Sequence, residues 1–422
     1  MSRLLRLARS GPAQRLLRSG PARRLTTQLV AAQRTPEDVS GPYAAWVELE
    51  RTGPVPLSGG AATADGERTG AMRLESPAAA SGGPLRIGFV VPEFRRGSGG
   101  HTTIANLVRG LETRGHTCSV WIHDPLGRAG GAAAFRAFFG PFAASVHDGL
   151  AGWGGADVAV ATGWQSVAPV LLLPGCRGRA HLVQDEEPEF YPASAERLWA
   201  ERAFVLPAIT AGTWLAERMR ERGLRATPFD LGIDHAVYRP HPAMPRAPGR
   251  VLFYARLATP RRAVPLGLLA LAALHRRRPD VEIVLYGDAT PLTAPFPFTN
   301  LGILDPPDVA RTYAEATVGL VLSLTNHSLA AQEMLACGLP VVELRTPSTE
   351  AAFGDSPIVL AEPSVLALAD ALERLLRDPE ERRERAGAGV RWAASRTWPP
   401  AAAAVEAGLR AALDAAGRDQ AA

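Results

Sequence analysis

From Leu85 onward the chain alternates short β-rich runs with helical ones, and that alternation restricts the fold more than any other feature. Arg86–Val91, Thr117–Ile122, Asp157–Ala161, Arg179–Val183 and Ala208–Thr210 read as strands, with helices over Thr103–Gly115 and Thr213–Arg222. A proline-rich stretch, Arg239–Gly249, separates them from a second series. There the strands are Arg250–Tyr254, Val281–Tyr286, Val318–Leu322 and Pro340–Leu344, with helices over Pro265–Arg278, Asp308–Ala316 and Ala330–Cys337. Continuously apolar strands joined through helices form parallel sheets covered on both faces. The expectation is an α/β protein of two doubly wound, Rossmann-like domains, residues 85–240 and 250–395. Such sheets bind ligands beyond the carboxyl ends of their strands, so two facing domains frame a cleft. Function belongs in the loops that leave strands.

The first 84 residues differ in kind, as a basic arm followed by a low-complexity linker. Residues 1–36 carry eight arginines and no acid, more than the net charge of +4 of the whole chain, so the folded remainder is net acidic. A nucleic-acid binder needs its positive charge on the folded surface, and no nucleic-acid partner is expected here. The near-repeat around Arg3–Arg6 and Arg15–Arg18 is weakly amphipathic. It reads either as peripheral contact with an anionic membrane or as a solvated arm, and its acid-poor character is also that of a transit peptide. Residues 52–84 are rich in Gly, Pro, Ser and Ala and cannot bury enough side chain to fold. No run approaches the roughly 18–20 apolar residues that span a bilayer. Cys118, Cys176 and Cys337 form no CxxC pair, which fits a reducing compartment and a cytoplasmic location. All 46 basic residues are arginine, so no mechanism can use a catalytic lysine.

Three loops carry chemistry. After Val91, the segment Pro92–Thr102 holds Gly97, Gly99 and Gly100, which let backbone approach an anion at a helix start, with His101 beside them. A dinucleotide site with Asp124 as ribose ligand is the rival reading; Gly97 stands six residues past the strand and Thr102 takes the third glycine position, which disfavours it. After Tyr254, Arg256 and Arg261 place permanently charged forks where a diphosphate could be clamped. After Leu322 come Ser323, Thr325, Asn326 and Ser328, then a helix in which Glu333 stands among apolar residues, a glycine stop at Gly338 and a strand. Ser328 or Asn326 can cap that helix, and Glu333 can accept sugar or ribose hydroxyls. The acidic run Asp185, Glu186, Glu187, Glu189 could in principle hold a metal, but no D-x-D motif is present; no metal and no cofactor are expected.

The segment from Thr325 to Val342 resembles the E-G-F-G-x-P-x-x-E-A-M-A-C-G-x-P-V-V signature of retaining GT-B glycosyltransferases of the family 4 type. Glu333 matches the second glutamate, Ala336-Cys337-Gly338 and Pro340-Val341-Val342 match the tail, and Thr325 replaces the first glutamate. Ser323, Thr325, Asn326 and Ser328, together with Gln184, Asp185, Glu187, Pro188, Phe190 and Tyr191, are similar to the WsaF-like rhamnosyltransferase subset. The resemblance covers about residues 85–410. It implies a GT-B fold whose C-terminal helix, within 396–422, crosses back to the N-terminal, acceptor-side domain. It implies a donor site in which Arg256 and Arg261 stabilise the departing diphosphate, Arg261 replacing a lysine, while Glu333 holds donor hydroxyls. Ile303 and Leu304 would read the nucleobase, and Gly99, Gly100, Thr325, Asn326 and Ser328 would bind the donor. Gln184 replaces the histidine of the wider family; Gln184, Asp185 and His101 would contact acceptor or sugar. The implied reaction is metal-independent transfer from a nucleotide sugar, dTDP-L-rhamnose favoured, to a cell-surface glycan or lipid-linked acceptor. A GT-B transferase or epimerase for another nucleotide sugar, and a non-catalytic glycan- or partner-binding protein, are the alternatives.

Overall fold

The computed structural model describes residues 43–52, 83–125, 127 and 130–419. The basic arm and most of the linker lie outside them. After a short helix α1 (Ala44–Thr52), the first sheet contains β1 (Arg86–Val91), β2 (Thr117–Ile122), β3 (Ser145–Asp148), β4 (Ala156–Ala161), β5 (Cys176–Val183), β6 (Ala208–Ala211) and β7 (Ala226–Phe229). Between these strands run α2 (Gly99–Thr113), α3 (Gly131–Phe139), α4 (Trp164–Leu172), α5 (Ala195–Arg202) and α6 (Thr213–Glu221). The second sheet contains β8 (Arg250–Tyr254), β9 (Glu282–Tyr286), β10 (Thr299–Asn300), β11 (Val318–Leu320), β12 (Val341–Leu344) and β13 (Val359–Ala361). Its helices are α7 (Val264–Arg277), α8 (Pro306–Glu315), α9 (Leu329–Ala336), α10 (Pro347–Phe353), α11 (Val365–Arg377) and α12 (Pro379–Ala394), and α13 (Trp398–Asp419) closes the chain.

Every strand pair is parallel, in the orders β3-β2-β1-β4-β5-β6-β7 and β10-β9-β8-β11-β12-β13. The central strands explain this choice: five of the six residues of β1 are buried, as are all of β6 and β12, so neither face can meet water. In each sheet the strand order reverses between two neighbours, β1 and β4 in the first, β8 and β11 in the second. At such a switch point adjacent connections diverge to opposite faces and leave a crevice. The loops that leave β1, β8 and β11 are the three that the sequence marks as chemical.

Strands expected from apolar runs are present within a few residues. Four strands outside that expectation, β3, β7, β10 and β13, are short edge or near-edge elements with half-exposed residues. The helix α2 starts at Gly99, four residues earlier than its sequence suggests, because Thr102 N–H bonds to Ser98 O at 3.0 Å and makes Ser98 its N-cap. Gly99 and Gly100 therefore form the first helical turn instead of a loop.

The C-terminal helix returns to the first domain. Ala401, Val405, Leu409 and Ala412 of α13 share one face and enter the core formed by Ile87, Phe89, Leu107, Leu111, Leu182 and Ile209. Gly110 of α2 permits the approach, since a Cβ there would stand 2.5 Å from the Cβ of Ala402. Burial of Val405 and Leu409 contributes roughly 1.5–3 kcal/mol each to holding the helix there.

Candidate active site

The cleft between the two sheets has two lobes that meet at Gly99, Tyr254, Arg256, Ser328 and Leu329. The first, about 450 Å³, lies toward Ile303, Leu304, Tyr286 and Glu333. The second, about 520 Å³, lies toward His101, Thr162, Gln184, Glu187 and Arg261.

Arg256 stands at the junction. Its Nη1 donates to Gly97 O at 2.6 Å, joining the loop after β8 to the loop after β1. Gly97 has φ +72°, and a Cβ there would lie 3.3 Å from the Arg256 guanidinium, so glycine suits both the turn and the approach. Arg96 and Asp305 form an ion pair across the same gap. Arg256 lines both lobes together with Gly99 and Leu329 of the first turns of α2 and α9. Helix starts present unpaired N–H groups and a positive dipole end, so three sources of positive potential converge here.

On the first lobe Glu333 projects from the second turn of α9. Among the described residues no hydrogen bond or ion pair holds its carboxyl. Burial, with the Asp234 carboxylate adding to it, pushes Glu333 up to about 8. A protonated carboxyl both donates and accepts, which suits recognition of vicinal hydroxyls. Ser328 caps α9, its Oγ accepting from Ala330 N at 3.3 Å. Ile303 is exposed at the lobe's edge beside Leu304. Tyr286 and Tyr313 close the floor, their hydroxyls 2.7 Å apart.

The second lobe is organised around Asp185. Its Oδ1 accepts from Asn326 N at 2.9 Å and Glu186 N at 3.0 Å, and its Oδ2 lies 2.8 Å from Arg261 Nε in an ion pair not aligned as a hydrogen bond. The Arg261 guanidinium also packs 3.9 Å from the Phe190 ring centroid, a cation–π contact. Asn326 spends its side chain on the junction: Nδ2 donates to Gln184 O and Ala211 O at 2.9 Å each, and Oδ1 accepts from Ser348 Oγ at 2.8 Å. His101 is bonded to Ser98 Oγ at 2.8 Å and packs on Phe94 and Phe139; burial, with Arg256 nearby, holds it down at about 4, so it is neutral near pH 7. The Gln184 amide stands 3.5 Å from where a Gly100 Cβ would be, which brings the first turn of α2 against the strand-end loop.

Eleven of the thirteen residues marked from sequence thus line one cleft, and Asn326 is buried at its junction. Thr325 does not join them: it lines a separate cavity behind Arg261. Among the described residues no cluster of three or more His, Cys, Asp and Glu is arranged to hold a metal ion. The three cysteines are free and buried.

Three side chains that shape the cleft were assigned no role from the sequence. Arg262 is buried, donating to Ser323 Oγ at 2.6 Å, and Ser323 Oγ donates to Glu343 Oε2 at 3.1 Å, a chain that anchors the loop after β11. Burial pushes Glu343 up to about 8, and nothing in a buried strand position announces a carboxylate. Glu187 accepts from Trp164 N at 2.6 Å inside the second lobe, and burial raises it to about 7. Its signals in the sequence were membership of the acidic run and of the segment 184–191 that carries the resemblance, and neither assigned it a role. Between Arg262 and α7, Ala263 sits at φ +43°, a left-handed conformation rare outside glycine.

Two doubly wound domains facing across such a cleft, with a last helix returning to the first domain, constitute the fold of GT-B glycosyltransferases. Over residues 249–373, the second sheet and most of its helices, the chain matches the C-terminal domain of WsaF. It is 33% identical over 220 residues, 49% of its length, to the O-antigen biosynthesis protein RfbC of Myxococcus xanthus, and spans 17% of that relative. Among solved structures, sucrose-phosphate synthase from Thermosynechococcus elongatus superposes with a TM-score of 0.60 at 17% identity, covering 78% of this chain and 99% of that one. Anabaena HepE, solved in complex with UDP-glucose, superposes with a TM-score of 0.59 at 16% identity, covering 78% of this chain and all (100%) of that one.

Proposed function

We propose that the protein is a retaining glycosyltransferase that moves a sugar, L-rhamnose from dTDP-L-rhamnose favoured, onto a cell-surface glycan or lipid-linked acceptor. One observation carries the reading: Arg256 and two helix starts converge on the point where the lobes meet, with Glu333 free of protein partners beside it. A binding module for neutral glycans has no use for such a diphosphate-sized positive focus. The nucleotide-sugar complex of HepE and the O-antigen role in the name of RfbC support the same class of reaction. Rhamnose rests on the likeness of residues 184–191 and 323–328 to the WsaF-like subset and on the match to the WsaF C-terminal domain.

In this reading the nucleobase lies against Ile303 and Leu304 and the diphosphate against Arg256 and the starts of α2 and α9. Glu333 holds sugar hydroxyls, with Gly99, Gly100 and Ser328 forming the walls. The bond between the anomeric carbon and the diphosphate oxygen breaks, its electron pair leaving with the nucleoside diphosphate. Preorganised positive charge lowers the barrier because negative charge grows on that oxygen in the transition state. An acceptor hydroxyl, entering from the lobe of Gln184 and His101, attacks from the same face, and its proton passes to the departing phosphate oxygen. Arg261, held by Asp185 and Phe190, supplies a further fixed cation at the rim.

The test is thermal stabilisation by dTDP, UDP and GDP, since a ligand that binds only the folded state raises its melting temperature. A shift with dTDP that disappears in Arg256→Ala supports a dTDP-sugar transferase. A preference for UDP or GDP keeps the transferase and removes rhamnose; no shift with any nucleotide defeats the reading.

A further inference from the structure

Behind Arg261 lies a second cavity of about 670 Å³, within the range of small-molecule sites, roughly 300–1,000 Å³. It is separate from the donor lobe, but Pro260 and Arg261 line both it and the second lobe, so the two spaces are adjoining. Its walls combine the indole of Trp214 and the half-exposed Leu324 with the carboxylates of Glu186, Glu189, Glu217 and Glu221. Glu189 and Glu221 have arginine partners, Arg197 and Arg218, whereas Glu217 has no ion pair among the described residues.

Two buried polar atoms at this cavity have neither a hydrogen-bond nor an ion-pair partner. Glu186 is 3% exposed; its Oε1 pairs with Arg222, but Oε2 is buried and unmatched. Thr325 is 7% exposed, and its hydroxyl is likewise buried without a partner. Buried polar groups are nearly always satisfied, and an unmatched pair beside a cavity marks where an incoming group would bond. The unmatched carboxylate oxygen needs a donor, and the hydroxyl can give or accept. No cluster suited to a metal ion occurs here among the described residues. The complementary ligand has one apolar face for the indole and a set of hydroxyl or ammonium donors, the surface of a pyranose ring.

We infer that this cavity is a subsite for the acceptor glycan, taking a neutral or amino-bearing sugar unit one step away from the reacting hydroxyl and rejecting uronic acids. Glu217, the lining carboxylate without an arginine partner, disfavours a second anion, and the shared wall at Arg261 lets one chain of sugars occupy both spaces. The inference rests on the glycosyltransferase reading for the role of the bound sugar, while the binding itself is measured independently.

Saturation-transfer NMR on the full chain with methyl α-L-rhamnoside, methyl β-D-glucosaminide and methyl β-D-glucuronide tests it. The first two should bind and the glucuronide should not. Trp214→Ala should weaken binding by about tenfold or more, and Glu217→Lys, a surface change on α6, should admit the glucuronide. The thermal shift by nucleotide should persist in both variants, which also shows that they are folded. Absence of glycoside binding, binding unchanged in both variants, or equal binding of the glucuronide to the unaltered protein would overturn the subsite. Loss of the nucleotide shift in the unaltered protein would defeat the transferase reading and leave the glycoside result standing.

Discussion

Asp185 accepts the backbone N–H of Asn326 at 2.9 Å, tying the loop after β5 in the first domain to the loop before α9 in the second. Its other oxygen faces Arg261, so one buried carboxylate joins both sides of the cleft. Asp185→Ala leaves the Asn326 N–H and the Arg261 guanidinium without that partner. The expected loss is about 2–4 kcal/mol in urea unfolding, with Asp185→Asn falling between because it keeps an acceptor. A wild-type unfolding curve for the alanine variant would show that the junction is held elsewhere.

Arg256 offers a fork, not only a charge. Arg256→Lys should retain part of the nucleotide affinity, and Arg256→Ala should lose about 10–100-fold, the scale of one or two charge-assisted hydrogen bonds. Isothermal titration with the nucleotide that gives the largest thermal shift reads both. Equal affinities in all three proteins would move the diphosphate away from this residue.

The raised position of Glu333 has a defined consequence for pH. Folding favours its protonated form, so the folded state binds more protons than the unfolded one between the ordinary carboxylate range and about 8. Stability is therefore lost as pH rises through that window and levels off above it. Glu333→Gln, which cannot ionise, should show a shallower fall in melting temperature from pH 5 to pH 8.5. Glu187, at about 7, and Glu343, at about 8, contribute slopes of the same sign, so the fall is reduced and not abolished.

Removal of the α9 cap should be felt locally. Ser328→Ala deletes the oxygen that accepts from Ala330 N, and caps of this kind contribute about 0.5–2 kcal/mol. Denaturant unfolding should show that loss. Ser328→Asp, which retains an acceptor, should recover most of it.

Gly110→Ala sets two effects against each other. Alanine improves helix propensity by about 1 kcal/mol, but its Cβ would meet the Ala402 Cβ at 2.5 Å. Both atoms lie on buried helix faces, so neither can swing aside, and overpacking of this sort costs about 1–3 kcal/mol. The clash should win, and the variant should unfold at lower denaturant than wild type. Greater stability would mean that α13 shifts freely.

The sequence by itself determined the fold class. Buried parallel strands must be apolar on both faces, so β1, β4, β8 and β12 announce themselves as runs, and Gly97 and Gly338 mark turns with positive φ. It also located the chemical loops, because the connections leaving β1, β8 and β11 are interrupted by glycines, arginines and hydroxyls. Edge strands such as β3 and β10 stayed hidden, since a half-exposed pair of residues carries no periodic signal. What only the tertiary structure decided is which polar side chains meet ligand and which meet one another. Asn326 and Asp185 look like ligand contacts in the sequence, yet their hydrogen bonds go to the junction; Thr325 turns to a different cavity; Arg262, Glu187 and Glu343 are defined by burial. Local pattern is set by the period of a strand or helix, whereas the partner of a side chain lies well outside that period: 20 to 61 positions away within one domain for Glu187, Arg262 and Glu343, and 141 positions away across the two domains for Asp185 and Asn326.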